Sequence, residues 1–247
     1  MQDKMLYNTA IVSDDIYVER EADRILNNVI LRMAKPAYIS VSRQMGKTNL
    51  LLRTKRHYED NDNRYIYIDI TNTFNNSREC FRYIIDQILQ SNEEIQEFQD
   101  AAKIIKEQRL EASSPSDEYQ KEIKQILKIY RGNIIIFLDE VDDLYKHDFS
   151  DDIFGQIRKT YFISQTHKDL KRITYVLSGV IDPDKLIKTK ENSPFNIAIS
   201  IMLTDFSYKE FLKLLANSKF EFDRDVANYI YNNWLKGNPR IDRKSVV

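Results

Sequence analysis

A glycine-lysine-threonine triplet between an apolar run and a helical pattern is the feature that most constrains the fold of this chain. The apolar run occupies residues 38–41, the triplet is Gly46, Lys47 and Thr48, and the helical pattern continues over residues 49–58. A strand that enters a tight loop and then a helix points several backbone N–H groups at one place, where the positive end of the helix dipole also favours an anion. This order predicts a phosphate-binding loop at the start of a helix.

The residue types in this loop suit a nucleoside triphosphate that carries Mg²⁺. Lys47 would reach the β- and γ-phosphates, and the hydroxyl of Thr48 would bind the metal ion that bridges them. The usual pattern has a glycine at position 41, where this chain has Val41, so the match is incomplete. The residues predicted to bind the nucleotide in and beside this loop are Ser42, Arg43, Gln44, Met45, Gly46, Lys47, Thr48 and Asn49.

An apolar run that ends in two carboxylates supplies the second half of the predicted site. Residues 133–138 are typical of a buried parallel strand, and Asp139 and Glu140 follow directly. Ligands bind at the carboxyl ends of the strands in open α/β sheets, so Asp139 is predicted to hold Mg²⁺ and Glu140 to polarise the attacking water. A solvated acidic loop after a core strand is the alternative for this segment taken alone.

Strand and helix patterns alternate along the chain and predict an α/β fold, a P-loop NTPase with a parallel five-stranded sheet and helices on both faces. The predicted strands are residues 38–42, 65–70, 133–139, 173–177 and, at an edge of the sheet, 197–203. The fourth strand runs on to Ser178, which is a candidate to contact the γ-phosphate because it would lie beside the strand that feeds the loop. A serine that caps the next turn is the alternative.

Two further segments complete the predicted organisation. The ATPase core is predicted over residues 1–206, and amphipathic helical patterns predict the beginning of a C-terminal helical lid at residues 207–241. Residues 242–247 match the translation of a common sequencing adapter and are interpreted as a non-native tail. We therefore expect the natural protein to continue beyond about residue 241.

Composition excludes several classes of protein. The chain has 247 residues with 37 Lys and Arg against 38 Asp and Glu, so no global positive charge would recruit nucleic acid or an anionic membrane. The single cysteine, Cys80, excludes an internal disulfide and is predicted to be a core residue. Neither a signal peptide nor an apolar run near eighteen residues occurs, and we expect a cytoplasmic protein without a membrane partner.

Four segments in one order resemble the bacterial AAA-like ATPase domains related to STAND and AAA+ P-loop NTPases. They are residues 17–23, 42–48, 138–142 and 193–197, and the resemblance covers roughly residues 15–240. It implies an ATP- and Mg²⁺-dependent switch of the kind commonly joined to effector, repeat or sensor domains in signalling and defence proteins. The implied partners are ATP or ADP, further copies of the chain, and an effector or sensor domain missing from this sequence.

The resemblance also implies roles for residues that are otherwise chemically quiet. Tyr17, Val18 and Arg20 would lie on the adenine side, and Pro239 of the lid would lie against the base. Packing at a helix entry and an ordinary helix stop are the respective alternatives. Arg158 and Arg172 are candidates for an arginine finger, the added cation that completes many such sites.

Three functions remain open on the sequence alone. The first is the ATPase switch, and the second is a nucleotide-gated scaffold that binds ATP or ADP without useful turnover and changes its partner affinity by population shift. The third is a DNA-handling ATPase of the initiator or transposition-helper type, supported only by local basic runs such as residues 168–172.

Overall fold

The computed structural model describes residues 11–32, 35–40, 45–109, 114–181, 193–218 and 223–235, and these form an α/β fold. The strands are β1 (Ala37–Ser40), β2 (Asn63–Asp69), β3 (Asn133–Asp139), β4 (Ile173–Gly179) and β5 (Ile199–Met202). The α-helices within these ranges are α1 (Glu21–Arg32), α2 (Lys47–Tyr58), α3 (Ser77–Gln90), α4 (Gln96–Gln108), α5 (Pro115–Ile129), α6 (Ser150–Ser164), α7 (Tyr208–Asn217) and α8 (Arg224–Ile230). Shorter 3₁₀ helices cover Val141–Lys146, Lys168–Arg172 and Pro194–Asn196, and a π-helical turn covers Tyr231–Leu235.

All five strands are parallel and lie in the order β2-β3-β4-β1-β5. Parallel neighbours require crossover connections, and helices provide them on both faces of the sheet. The predicted fold class, including the edge position of the fifth strand, is confirmed. Since β4 lies between β3 and β1, the strand that ends in acids and the strand that feeds the loop are both its neighbours.

Each face of the sheet carries its own hydrophobic cluster, so the cluster membership shows where a side chain points. Phe137 of β3 and Val176 of β4 pack with Leu50 of α2. Leu138 and Leu177 pack on the other face, with α3, α5 and α6. Side chains alternate along a strand. Asp139 is two residues beyond Phe137, and Ser178 is two residues beyond Val176, so both side chains face α2.

The helices after β5 pack in a separate small cluster. Phe211 and Leu215 of α7 meet Ala227 of α8 and Leu235. Ser207 begins α7 with a reciprocal capping box in which its side chain and that of Glu210 each bind the other's backbone N–H group. This region contains the two helices predicted for the lid. The domain boundaries stay a prediction, and residues 236–247, including the suspected tail, lie outside the described residues.

Two smaller expectations concern the core and the membrane. Cys80 is buried on α3, as predicted, and burial raises the pKa of its thiol to about 12. Across the described ranges, no helix combines the length and the apolar character that crossing a membrane requires.

Candidate active site

The beginning of α2 has the backbone geometry of an anion-binding turn. Gly46 immediately precedes the helix with φ 92° and ψ 25°, a left-handed conformation that glycine adopts without steric cost. A Cβ at this position would also lie 3.2 Å from Nη2 of Arg20. Lys47 and Thr48 are the first two residues of the helix. The N–H groups of this first turn lie at the same end of the sheet as the carboxyl ends of its strands, since Thr48 contacts Asp139 at the end of β3.

The ammonium group of Lys47 is buried at the start of α2. Its side chain is only 5% exposed, and Nζ has no hydrogen-bond acceptor among the described residues. A buried ammonium that lacks a hydrogen-bond partner is costly, and natural proteins keep one only where something else satisfies it. An anionic ligand at the end of α2 would do so.

Asp139 joins the two predicted halves of the site. Its carboxylate is 1% exposed, and Oδ2 accepts a hydrogen bond from Oγ1 of Thr48 at 2.8 Å. The hydroxyl of Tyr67 on β2 donates to the same oxygen at 2.9 Å, and the backbone N–H of Glu140 donates to Oδ1 at 3.0 Å. The structure thus brings together two residues, Thr48 and Asp139, that are 91 positions apart in the chain.

Glu140 has a strained backbone and a perturbed carboxyl group. Its φ of 57° and ψ of 40° make it the only non-glycine residue in the described ranges with a left-handed conformation. Such strain is found preferentially at functional sites. Burial raises the pKa of the Glu140 carboxyl above its ordinary value, the nearby Lys47 ammonium opposes that shift, and the neighbouring Asp139 and Asp142 add to it. A raised pKa suits a group that must accept a proton near neutral pH.

Ser178 lies level with Asp139 in the sheet. Leu177 pairs with Leu138 in the β3–β4 register, so each of the two polar residues follows a paired leucine. Ser178 is completely buried, and its Oγ has no hydrogen-bond partner among the described residues. The cap of the following turn is therefore not formed within the part of the chain that the structure describes. Its predicted contact with a γ-phosphate stays a prediction.

A largely apolar cavity of about 90 Å³ adjoins the loop on the side predicted for the base. Its walls include Tyr17, Val18, Arg20, Met45, Gly46 and Asn49, together with Phe206 and Leu214 from the segments that follow β5. Asn49 also fixes the outer wall, because its Oδ1 accepts a hydrogen bond from the backbone N–H of Val12 at 2.6 Å. The lining is mostly apolar, and the predicted place of Tyr17, Val18 and Arg20 on the adenine side stays a prediction.

Arg20 has a more specific place than a pocket wall. Its Nη1 donates to the backbone carbonyl of Met45 at 2.9 Å, and its guanidinium lies 5.3 Å from the centre of the Phe206 ring. Its backbone N–H donates to Oδ2 of Asp23, whose Oδ1 accepts from the hydroxyl of Tyr17 at 2.8 Å. Arg20 therefore connects the phosphate loop to the segment that leads into α7.

Several predicted residues cannot be placed at the site. Ser42, Arg43, Gln44 and Pro239 lie outside the described residues, and their predicted contacts stay predictions.

The two arginine-finger candidates already have partners. Arg172 donates to the carbonyls of Tyr130 at 2.7 Å and Gly132 at 3.1 Å, next to the first residue of β3 and thus at the opposite end of the sheet from Asp139. It satisfies free carbonyls after the end of α5, so the structure does not bring it to the site of its own chain. Arg158 stacks on Phe162 and donates to the carbonyl of Ser193 at 3.2 Å.

Tyr67 and Asp142 contribute to the site without having been predicted from the sequence. Tyr67 lies near the carboxyl end of a strand with alternating apolar residues, which places it correctly but does not reveal that it would bind Asp139. Asp142 lies in the acidic segment that follows β3, and its carboxylate accepts hydrogen bonds from the backbone N–H groups of Val180 and Ile181 beyond β4.

Comparison with known proteins agrees with this architecture. Residues 7–246 match the sequence profile of the AAA-like domain family. An uncharacterised WD repeat-containing protein of Synechocystis is 31% identical over 238 residues, which are 92% of this chain but only 19% of that protein. The chain thus spans about a fifth of the length of the curated relative that it matches.

Solved structures show the same fold at low sequence identity. The ADP form of the ORC2 protein from Aeropyrum pernix gives a TM-score of 0.63 at 15% identity, covering 100% of this chain and 65% of that one. A Walker-type ATPase of Pyrococcus abyssi gives a TM-score of 0.59 at 16% identity, covering 98% and 69%. With Gly46, Lys47 and Thr48 at the start of α2, the acidic strand end and the β2-β3-β4-β1-β5 sheet in place, the chain belongs to the AAA-like domain family and is an AAA-like P-loop ATPase domain.

Proposed function

We propose that this domain binds ATP with Mg²⁺ and hydrolyses it, and that it serves as the nucleotide switch of a larger signalling or defence protein of the STAND type. The observation that supports this best is the buried, unpartnered ammonium of Lys47 beside the contact between Thr48 and Asp139. The solved ORC2 structure is of an ADP form, which supports an adenine nucleotide in this fold. The much longer WD repeat-containing relative supports a further domain. The cytoplasmic location expected from the sequence remains part of this proposal.

The residues present fit a magnesium nucleotide. Mg²⁺ prefers oxygen ligands and is commonly bound by one or two protein groups together with phosphate oxygens and water, and Thr48 and Asp139 offer such oxygens 2.8 Å apart. When bound, the ion neutralises charge on the β- and γ-phosphates. Lys47 would supply a second positive charge on the other side of the same phosphates.

Hydrolysis would then depend on two polar groups at the strand ends. The Glu140 carboxylate would orient the attacking water and accept its proton, for which its raised pKa is suited. The Ser178 hydroxyl would donate to a γ-phosphate oxygen, which would satisfy an atom that otherwise has no partner among the described residues. Since Arg158 and Arg172 are both held by other partners, a cation from another copy of the chain would accelerate the reaction. We therefore expect slow turnover for the isolated domain.

The test is a nucleotide titration and a single-turnover hydrolysis assay on three variants and the wild type. Lys47→Ala should abolish binding, whereas Glu140→Gln should bind ATP normally and stop turnover. Lys103→Ala is the control, because Lys103 is exposed on α4 and pairs only loosely with Asp100 at 3.9 Å. Unchanged turnover in Glu140→Gln would refute the role given to Glu140, and equal ATP binding by wild type and Lys47→Ala would refute the site.

A nucleotide-gated scaffold with little turnover is the second candidate, favoured by the other partners that hold Arg158 and Arg172. It would be established by bound ADP that does not exchange and by single-turnover rates that Glu140→Gln leaves unchanged. No specific observation in the described ranges favours the DNA-handling alternative.

A further inference from the structure

We propose that Asp142 is a positioning residue that fixes the end of β4, and with it Ser178, relative to Glu140. This inference rests on the proposed hydrolysis site, in which Ser178 and Glu140 act on the same terminal phosphate. Asp142 takes no direct part in the proposed steps, although its charge contributes to the raised pKa of Glu140.

Asp142 binds two consecutive backbone N–H groups just beyond β4. Its Oδ2 accepts from the N–H of Val180 at 2.6 Å, and its Oδ1 accepts from the N–H of Ile181 at 2.9 Å. Hydrogen bonds to an ionised carboxylate are shorter and stronger than those between neutral groups. Both oxygens are in use, so the carboxylate holds the direction in which the chain leaves the strand.

The last residue of β4 is shaped to admit this carboxylate. A Cβ added to Gly179 would lie 2.7 Å from Oδ1 of Asp142 and 2.9 Å from the hydroxyl of Tyr38. Real Cβ atoms do not approach other atoms so closely. The Tyr38 hydroxyl donates to the carbonyl of Ile181 at 2.6 Å, which secures the same turn from the neighbouring strand β1. Gly179 is therefore the residue type that lets both side chains reach the backbone.

The bonds of Asp142 and Tyr38 to residues 180–181, called the clamp below, lie on the face of the sheet away from the proposed phosphate position. Tyr38 and Leu177 belong to the cluster with α3, α5 and α6, whereas Ser178 follows the face that meets α2. Asp142 contacts the strand end at Gly179, one residue beyond Ser178 and on the opposite side. Its effect on a bound phosphate would therefore be transmitted through the backbone of β4.

The same residue is also anchored next to Glu140. The 3₁₀ helix Val141–Lys146 begins directly after Glu140, and Val141 and Leu144 are completely buried. Asp142 thus lies on a fixed helix that follows the end of β3, and its carboxylate binds the backbone just beyond the end of β4. Loss of the clamp should let the distance between Glu140 and Ser178 vary while leaving the phosphate loop intact.

The experiment compares Asp142→Asn with Asp143→Asn in single-turnover ATP hydrolysis, ATP binding and thermal unfolding. Asparagine keeps the shape of Asp142 but replaces one accepting oxygen by an NH₂ group, so one of the two N–H groups loses its partner. Asp143 makes the matched control, because its side chain pairs only with Lys146 three residues away. We expect Asp142→Asn to lower the hydrolysis rate about 10- to 100-fold, as for misplacement of a reacting group by about 1 Å, with ATP affinity near the wild-type value. Asp143→Asn should match the wild type.

Two further readouts separate positioning from general support of the fold. In a Ser178→Ala background, Asp142→Asn should slow hydrolysis by much less than in the wild type, since its effect passes through Ser178. Hydrogen exchange without nucleotide should be faster at the amides of Val180 and Ile181 in Asp142→Asn and unchanged in Asp143→Asn. Should Asp142→Asn fail to fold, Tyr38→Phe removes the bond to the Ile181 carbonyl and should give the same non-additive loss.

The outcomes that overturn the inference are distinct from those that overturn the proposed function. Normal turnover in Asp142→Asn beside an inactive Glu140→Gln would remove the positioning role alone, and so would fully additive effects of Asp142→Asn and Ser178→Ala. Unchanged exchange at residues 180–181 would show that the clamp does not hold the strand end. A wild-type protein that binds no triphosphate would instead overturn the site on which the inference rests.

Discussion

The left-handed backbone of Glu140 makes a quantitative prediction about stability. A non-glycine residue in this conformation costs about 1–2 kcal/mol, because its Cβ approaches the following carbonyl oxygen. The cost disappears when the Cβ is removed. Glycine also has more conformational entropy than alanine in the unfolded chain, which destabilises the folded glycine variant by about 0.4–1 kcal/mol relative to the alanine variant. We therefore expect Glu140→Gly to be about 0.8 kcal/mol more stable than Glu140→Ala.

The alanine and glycine variants form a matched pair. Both remove the carboxylate and its raised pKa, so electrostatic effects cancel in the comparison and only the Cβ differs. In a chain of this size, about 0.8 kcal/mol corresponds to a difference of about 2–3 °C in Tm. Thermal unfolding followed by circular dichroism resolves a difference of that size. Both variants should be inactive in hydrolysis, because both lack the carboxylate.

A second pair at Asp143 calibrates the measurement. Asp143 lies in the 3₁₀ helix Val141–Lys146, where glycine should be less stable than alanine by about 0.5–1 kcal/mol, the ordinary sign. A reversed sign at Glu140 and an ordinary sign at Asp143 would establish the strain. An alanine variant at Glu140 that is as stable as the glycine variant, or more stable, would refute it.

Three more predictions follow from the charges and hydrogen bonds of the site. Lys47→Met should raise the Tm of the nucleotide-free protein, because it removes a buried ammonium that has no hydrogen-bond partner among the described residues. The same change should eliminate the increase in Tm that ATP with Mg²⁺ gives the wild type, and an unchanged increase would contradict the site. Because burial raises the pKa of Glu140 in the ligand-free protein, the acid limb of kcat/KM should have its midpoint above the ordinary value of 4.5. Wild-type stability relative to Glu140→Gln should be greatest below pH 4.5 and fall as pH rises through the raised pKa. A limb at or below 4.5, or a stability difference that does not change with pH, would contradict this. Tyr67→Phe should cost about 1 kcal/mol of stability by removing a hydrogen bond to Asp139, and it should increase the Mg²⁺ concentration needed for half-maximal activity. Tyr65→Phe is the control, because Tyr65 lies on the same face of β2 but two residues further from the strand end, and it should leave the Mg²⁺ requirement unchanged. Equal Mg²⁺ requirements in the two variants would contradict the prediction.

The sequence predicted the sheet well because each strand has a strong local signal. Residues 134–138 are apolar without interruption and form a strand buried on both faces, which is the property that such runs indicate. Helix ends were less well predicted, since the apolar repeat marks only the buried stripe. The apolar repeat over residues 81–89 predicts a helix there, but α3 begins earlier, at Ser77, where the Asn76 side chain accepts from the N–H of Glu79 at 3.0 Å. The polar caps that set these ends do not contribute to a hydrophobic pattern.

The site was predictable as far as motifs determine it. The contact between Thr48 and Asp139 follows from two strand ends meeting at one edge of a parallel sheet. The bonds of Arg20 to Met45 and of Asp142 to Val180 depend on how loops pass one another after folding. Nothing in the spacing of these residues distinguishes them from other charged residues in a chain that is 30% charged.

The buried charge of Lys47 and the backbone strain of Glu140 both cost stability at the carboxyl ends of the strands, and a nucleotide would act differently on each. The unpaired charge of Lys47 would be relieved by a phosphate, so its cost is recovered on binding and appears as stabilisation by the ligand. The backbone strain of Glu140 has no such release, because a phosphate does not change the position of a Cβ. That strain is maintained by the buried residues Val141 and Leu144 on one side and by β3 on the other. A residue that the fold keeps strained in the free state is already in position when the ligand arrives, which is consistent with a group that must meet a water molecule at a defined place.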